Sequence, residues 1–330
     1  MSYSLYFGDE SIVLTWSRPG INGTYITKGR VSAPYNGIIE GDFASFVEIP
    51  GVMKNLMNKA NFPNTHRNKL LVGVPSCFCV ASSEYRKREF EKPTKVNKKI
   101  VAELLGGGEA CYFKVDGGPP LITAIGRSCM KIEVLVSNVK IKTTFVDAIR
   151  QSFCISRGFK GIKYMPVPLA EARYLINVAD RDKTAYLISY KMADTSVSVI
   201  VGDHLCTIDT LDMGYAHVIN DISMVKNIDF KSAAMLLKRY NAQDSDGIMQ
   251  IVDARLEDMA EQIKDILLKH DPDLLTRRGF MCGGHTDEIY GAHQIFSQTI
   301  GAELTVLKCP LNEDNIPDAT ARDGLAIASL

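Results

Sequence analysis

Residues 4–16, "SLYFGDESIVLTW", are two apolar runs around a polar knot of Gly8, Asp9, Glu10 and Ser11. The second run carries β-branched Ile12, Val13 and Thr15, so the stretch predicts two strands joined by a tight turn. A glycine there lets backbone approach a neighbour closely, and a hairpin of this kind can offer its N–H groups to a phosphate. The acidic pair argues the other way. Two carboxylates at Asp9 and Glu10 would repel a polyphosphate unless a cation intervened, and short acidic residues are ordinary members of a solvated turn.

The rest of the chain supplies the context in which that hairpin is read. At 330 residues, with 46% apolar and 23% charged residues and no formal net charge, the sequence can bury a large core in two domains or one bilobal unit. This balance excludes disorder and a broad polyanion-binding surface, so no nucleic-acid partner is expected. No basic segment precedes an apolar core at the N-terminus, and no window approaches the roughly 18 apolar residues of a membrane span. A cytoplasmic location without direct membrane insertion is expected. The eight cysteines (Cys77, Cys79, Cys111, Cys129, Cys154, Cys206, Cys282 and Cys309) contain no C-x-x-C pair and the six histidines no H-x-x-x-H pair. They read as reduced core thiols, and no metal is expected.

Apolar patterning predicts strands near 4–16, 69–74, 110–115, 120–126, 130–137, 184–191, 195–201 and 204–211. Helical spacing predicts a long helix over 246–269 and shorter ones over 43–60, 95–105, 142–156, 166–177, 214–225, 230–240, 286–300 and 319–329. The alternation is α/β. A common order of elements starts at residue 4 and again at 184, without sequence identity between the two. Between them, "SSEYRKREFEKPTKVNKK" (82–99) opens a segment punctuated by "LLGGGEA" and "VDGGPPL", which reads as a small inserted subdomain with a solvated charged face.

Five stretches, in order, resemble the actin-like ATPase superfamily, above all its FtsA and PilM members. They are the opening hairpin; "YNGIIEGDFASFVEI" (35–49), where Gly37, Ile38, Gly41 and Asp42 match a glycine, an apolar residue and an acidic helix start; and "LLVGVPSCFC" (70–79), similar to the strand leading into the FtsA-type insertion. The fourth is "GFKGIKYMPVPLAEARYLI" (158–176), where Pro168, Leu169, Ala170 and Ala172 fit the first connecting helix and Val167 replaces its Glu. The fifth combines "FMCGGHTDEIYGAHQIFSQTIGAELTV" (280–306) with "DATARDGLAIASL" (318–330). The resemblance implies an actin-like two-lobed fold, a duplicated ribonuclease H-like plan. Its parts would be residues 1–79 and 141–180 for the first lobe, 80–140 for an inserted α/β subdomain, 181–318 for the second lobe and 319–330 for a helix returning to the first.

In that family two glycine hairpins hold the phosphates of ATP and a carboxylate accompanies the magnesium ion, because phosphoryl transfer is mostly positioning and charge compensation. Laid on the pattern, Tyr6 takes the place of the first metal-associated Asp, and a phenol cannot supply that charge at neutral pH. In the second hairpin, "YLISYKMADTSVSVIV" (186–201), Ser189 replaces the Asp and Lys191, Met192 and Ala193 the glycines, with Asp194 next in line. Lys191 reads as an exposed strand-end lysine. A helix that carries Ala-Glu-x-x-Lys toward the ribose falls on "KSAAMLLKRYN" (231–241), with Ala234 and Leu237 at the two key places and Lys238 and Arg239 turned about 100° or more away. On the adenosine side the family pattern leaves Gly214, Gly283, Gly284 and Thr286.

The reading is therefore a non-catalytic scaffold or pseudo-ATPase of FtsA/PilM type, serving bacterial division or an envelope or pilus-type assembly. It needs no cofactor, and ATP with magnesium is disfavoured. Protein partners, self-association and recruitment to a membrane through a partner follow from the same resemblance, with Arg86, Lys87 and Arg88 of the insertion as the expected contact surface. The competing reading is an active filament-forming ATPase with a shifted acid set of Asp9, Glu10 and Asp194. A small-molecule kinase would need an Asp general base and intact phosphate loops.

Overall fold

The computed structural model describes residues 1–21, 25–60, 68–152, 158–241, 243–244, 246–283, 288–308 and 319–329. The chain opens with β1 (Ser2–Phe7), β2 (Ser11–Pro19), β3 (Tyr25–Pro34), β4 (Ile38–Ile39), β5 (Asp42–Phe43), α1 (Ile49–Ala60) and β6 (Lys69–Val74). Next come β7 (Cys79–Lys95), α2 (Lys98–Leu105), β8 (Glu109–Val115) and β9 (Ser128–Ile141). After them follow α3 (Thr143–Gln151), β10 (Gly161–Pro166), α4 (Val167–Leu175) and α5 (Val178–Arg181). The second half holds β11 (Thr184–Tyr190), β12 (Thr195–Val201), β13 (His204–Leu211), α6 (Tyr215–Lys226), α7 (Phe230–Arg239) and α8 (Met249–His270). It continues with β14 (Arg278–Cys282), α9 (Ala292–Ile300), β15 (Leu304–Val306) and α10 (Ala319–Ala328).

Two five-stranded sheets share one plan. The first is ordered β3-β2-β1-β6-β10 and the second β13-β12-β11-β14-β15. In each, the leading three strands form an antiparallel meander and the last two add in parallel. The repeated order of elements is thus a duplication of topology, and the β1–β2 and β11–β12 hairpins hold equivalent places. Strands β11 and β12 are buried along nearly their whole length. That is why they read as continuous apolar runs: helices cover both faces of the sheet.

In the second lobe α8 lays Val252, Leu256, Met259, Ile263 and Leu267 on the sheet, the stripe its 3.6-residue period predicts. In the first lobe Leu5 and Phe7 face Met53 and Leu56 of α1 and Phe145 and Ile149 of α3. Phe7, Phe43, Phe78 and Phe145 pack there as a cluster, with Phe43 and Phe78 centroids 4.8 Å apart. Tyr6 points to the opposite face, as alternation along a strand requires. There it packs with Leu71 under Val167 and Ala170 of α4 and Ala321 and Leu325 of α10.

Strands β7, β9 and β8 form a separate three-stranded sheet, capped on one face by α2. Asn97 starts α2 by accepting from the Ile100 N–H at 2.9 Å. Val96, Ile100, Leu104, Phe113, Ile132 and Val134 give this unit its own core. Its sheet also reaches the second lobe, where the Ser137 hydroxyl donates to the Leu205 carbonyl at 2.7 Å.

Two expectations fail here. Residues 120–126 are a loop that touches the sheet through one Phe113–Leu121 bridge, since Pro119 and Pro120 lead into it and Gly126 leads out. The helix expected from residue 43 begins at Ile49, and Asp42 sits in a two-stranded hairpin with Ile38–Ile39 instead of starting a helix. The charged run from 82, expected as a solvated face, is a strand, most of β7, and is exposed over much of its length.

Arg86 and Arg88 are not simply a solvated pair. Arg86 donates to the Leu104 carbonyl at 2.8 Å at the C-terminal end of α2 and also pairs with Glu84, while Arg88 reaches Glu103 at 2.6 Å. Lys87, between them on the strand, pairs with Glu89 at 3.7 Å and stays exposed. A cation at a helix C-terminus opposes the partial negative charge there. Arg86→Glu is therefore expected to destabilise the insertion by about 1–2 kcal/mol, read by urea titration, whereas Lys87→Glu should leave the midpoint unchanged.

Candidate functional site

The two equivalent hairpins are tight two-residue turns. In the first, the Gly8 N–H donates to the Ser11 carbonyl at 3.0 Å, and Asp9 and Glu10 span the turn. Its carbonyls are engaged from the same lobe: the Tyr35 hydroxyl donates to Gly8 O at 2.6 Å and the Tyr35 N–H to Glu10 O at 3.2 Å. Asp9 is half-buried and Glu10 exposed. Tyr6, where a carboxylate would belong, is 4% exposed in the apolar layer beneath α4 and α10.

In the second hairpin the Lys191 N–H donates to the Asp194 carbonyl at 3.0 Å, leaving Met192 and Ala193 at the tip. The start of α6 sits directly on this turn. A helix leaves its first amides without intrahelical partners, and those amides make its N-terminus an anion site. Here each is committed. The Gly214 N–H donates to His217 Nδ1 at 3.1 Å, Tyr215 N–H to the Lys191 carbonyl at 2.9 Å, Ala216 N–H to the Met192 carbonyl at 2.9 Å, and His217 N–H to the Gly214 carbonyl at 3.0 Å. The contact is close enough that a Cβ on Gly214 would lie 2.5 Å from Lys191 O and 2.7 Å from Met192 O. A phosphate bound here would have to displace the hairpin from the helix.

Gly283, at the end of β14, is held in the same way. Its φ is +117°, and a Cβ would fall 1.9 Å from the Tyr190 carbonyl oxygen. Packing against the β11 backbone accounts for this glycine. Ser189 is fully buried, and its hydroxyl donates to Glu171 Oε1 of α4 at 3.2 Å. Lys191 is 7% exposed, which corrects the reading of an exposed strand-end lysine. The turn folds back over α6, and Cys77 of the first lobe feels both Lys191 and Asp194. Burial pushes the Cys77 thiol up to about 12, the Asp194 carboxylate adding to the rise and the ammoniums of Lys191 and Lys142 opposing it.

Gly214, Gly283, Ser189, Lys191 and Asp194 are thus gathered around the end of β11, while Gly8, Asp9 and Glu10 form a turn packed on Tyr35. Gly284 and Thr286 lie outside the described residues. Arg86, Lys87 and Arg88 belong to the inserted sheet. Lys238 and Arg239 line a groove of about 500 Å³ with Ile228, Met235 and Leu236 on the outside of α7. A second groove, about 540 Å³, runs where Gly106–Glu109 and Ser137–Ile141 of the insertion meet Tyr164, Leu169 and Arg173. Neither groove is lined by a hairpin residue. On α6 and α7 the apolar side chains of Met224, Val225, Phe230 and Met235 are exposed, and Val80, Tyr85, Ile122, Ile125, Met130 and Val139 are exposed on the insertion.

Sequence reasoning missed Glu171, which is 1% exposed, and the buried Arg322–Asp323 pair, whose Asp323 also meets Arg30 at 3.3 Å. A single carboxylate inside the otherwise apolar "VPLAEA" was the available signal for Glu171. Among the described residues no group of three or more His, Cys, Asp or Glu is placed to hold a metal ion, and no helix is long and apolar enough to cross a membrane.

No protein-family model matches the chain, and no curated relative matches it. Solved structures do. A PilM–PilN type IV pilus biogenesis complex contains a chain with a TM-score of 0.63 and 15% identity, covering 99% of this chain and 97% of that one. The ethanolamine utilization protein EutJ from Carboxydothermus hydrogenoformans has a TM-score of 0.55 and 14% identity, covering 99% and 89%. MreB5 of Spiroplasma citri bound to AMPPNP has a TM-score of 0.57 and 10% identity, covering 98% and 92%. With the two sheets in one order and an insertion within the first lobe, the chain has the actin-like two-lobed fold.

Proposed function

We propose that this actin-like chain is a non-catalytic scaffold of PilM type, a pseudo-ATPase that acts by holding protein partners in a pilus-, envelope- or division-type assembly. One observation carries the reading: all four leading amides of α6 are spent, two on the second hairpin, so the place where phosphate N–H donors would be needed is filled by the chain's own carbonyls. Tyr6 in an apolar layer and Ser189 in a buried hydroxyl position point the same way, since neither supplies charge to a magnesium ion. The likeness to the pilus complex, together with exposed apolar side chains on α6 and α7, supports partner binding. The partner then provides any recruitment to a membrane from the cytoplasmic side.

Isothermal titration with ATP and magnesium is expected to give no binding heat, and a steady-state phosphate assay no turnover. Turnover that Asp9→Asn abolishes would overturn the proposal in favour of an ATPase using Asp9, Glu10 and Asp194. Nucleotide-dependent filaments by light scattering would do the same.

A further inference from the structure

Two β-bulges put a pair of cysteines face to face across the contact between the insertion and the second lobe. In the β8–β9 ladder Ala110 pairs with Val136 and Tyr112 with Leu135, so Cys111 is the extra residue. In the β12–β13 ladder Ile200 pairs with Leu205 and Val199 with Thr207, so Cys206 is the extra residue. A bulge re-aims a side chain out of its ladder. Here the two re-aimed sulfurs lie 3.7 Å apart, flanked by the His204–Glu109 pair at 3.2 Å and the Ser137–Leu205 hydrogen bond at 2.7 Å.

We propose that Cys111 and Cys206 are a redox-modification site, at which a low-molecular-weight disulfide such as oxidised glutathione converts the two thiols into a disulfide tying the inserted sheet to the second lobe. Among the described cysteines access selects the first step, because Cys111 is partly exposed whereas Cys77, Cys79, Cys129, Cys206 and Cys282 are buried. Cys111 loses its proton, its sulfur attacks the reagent, the reagent's S–S bond breaks and one small thiol leaves. Cys206, deprotonated in turn, attacks the Cys111 sulfur of the mixed disulfide and expels the second small thiol. Two protein thiols give up two electrons and two protons, and one small-molecule disulfide becomes two thiols. The 3.7 Å separation of the two sulfurs puts Cys206 within reach of the mixed disulfide as soon as Cys111 has reacted, which suits it to the closing attack. Burial pushes the Cys77 and Cys79 thiols up to about 12, and the hydrogen bond to Cys206 together with burial raises the Cys111 thiol as well, so access and the paired geometry, not acidity, single out this pair.

The test treats the full chain under native conditions with oxidised glutathione, followed by alkylation, intact mass and peptide mapping. The expected result is a mass lower by two hydrogens, a Cys111–Cys206 cross-linked peptide, and a melting temperature raised by roughly 5–10 °C that dithiothreitol reverses. Cys206→Ser should stop at one glutathione adduct on Cys111, and Cys111→Ser, at the partly exposed position, should not react. A stable adduct on Cys111 of the parent chain, cross-linking through any other cysteine first, or no reaction of the folded chain would each overturn the proposal.

Discussion

Tyr6→Asp, which writes the missing carboxylate back into the first hairpin, is expected to destabilise the first lobe by about 4 kcal/mol or more and to restore no ATP turnover. The strand alternation aims residue 6 at Leu71, Val167, Ala170, Ala321 and Leu325, not at a cleft. Truncating a large aromatic in such a layer costs roughly 3–5 kcal/mol, and a carboxyl left there without water adds about 1–3. Burial would raise the folded-state pKa of the introduced carboxyl above its unfolded value near 4. The deficit against the parent should therefore be smallest below about pH 4 and grow as pH rises through the folded pKa. Urea titrations at two pH values measure it. A variant that folds as well as the parent and binds ATP with magnesium would show that position 6 belongs to a working site.

Gly283→Ala should cost about 3–5 kcal/mol, seen as a fall in melting temperature of roughly 10 °C. Two penalties combine: a backbone at φ +117° that side chains rarely adopt, and a methyl group 1.9 Å from the Tyr190 carbonyl oxygen. Relief by moving β14 would break its parallel pairing with β11 at Ser189–Cys282. An alanine variant with parental stability would mean that this contact yields freely and that the glycine serves something else. Circular dichroism melts decide between the two.

The parts of the fold that read directly from sequence are those where burial and period coincide. Residues 246–269 show an unbroken apolar stripe, and the helix runs Met249–His270. The β11 and β12 runs are apolar because both faces are covered. Strand β7 was hidden because both of its faces carry charge, and its sheet partners lie more than thirty residues away in β9. The loop at 120–126 imitates a strand by alternating Leu121, Thr123 and Ile125 between proline and glycine. At the site, substitutions such as Tyr6 and Ser189 are visible from the pattern. What replaces the lost chemistry is not, because the bonds from α6 to the hairpin run through backbone, which has no residue signature. Lys191 misled for a related reason: a lysine in a turn is exposed by default, and only the helix start lying over that turn buries it.

The helix α10 has a kinetic consequence. Ala321 and Leu325 complete the layer that holds Tyr6 and Leu71, and Asp323 ties back to Arg30 across 293 residues of chain. Closing so long a loop is slow, and contacts of high sequence separation delay folding. During synthesis the first lobe therefore waits, with one face of its sheet covered by α4 but not by α10, while the whole second lobe is made and can fold on its own core. The first strand in the sequence is among the last to find its complete native surroundings. In that interval the apolar face of β1 and β6 is the part of the molecule most in need of protection from aggregation.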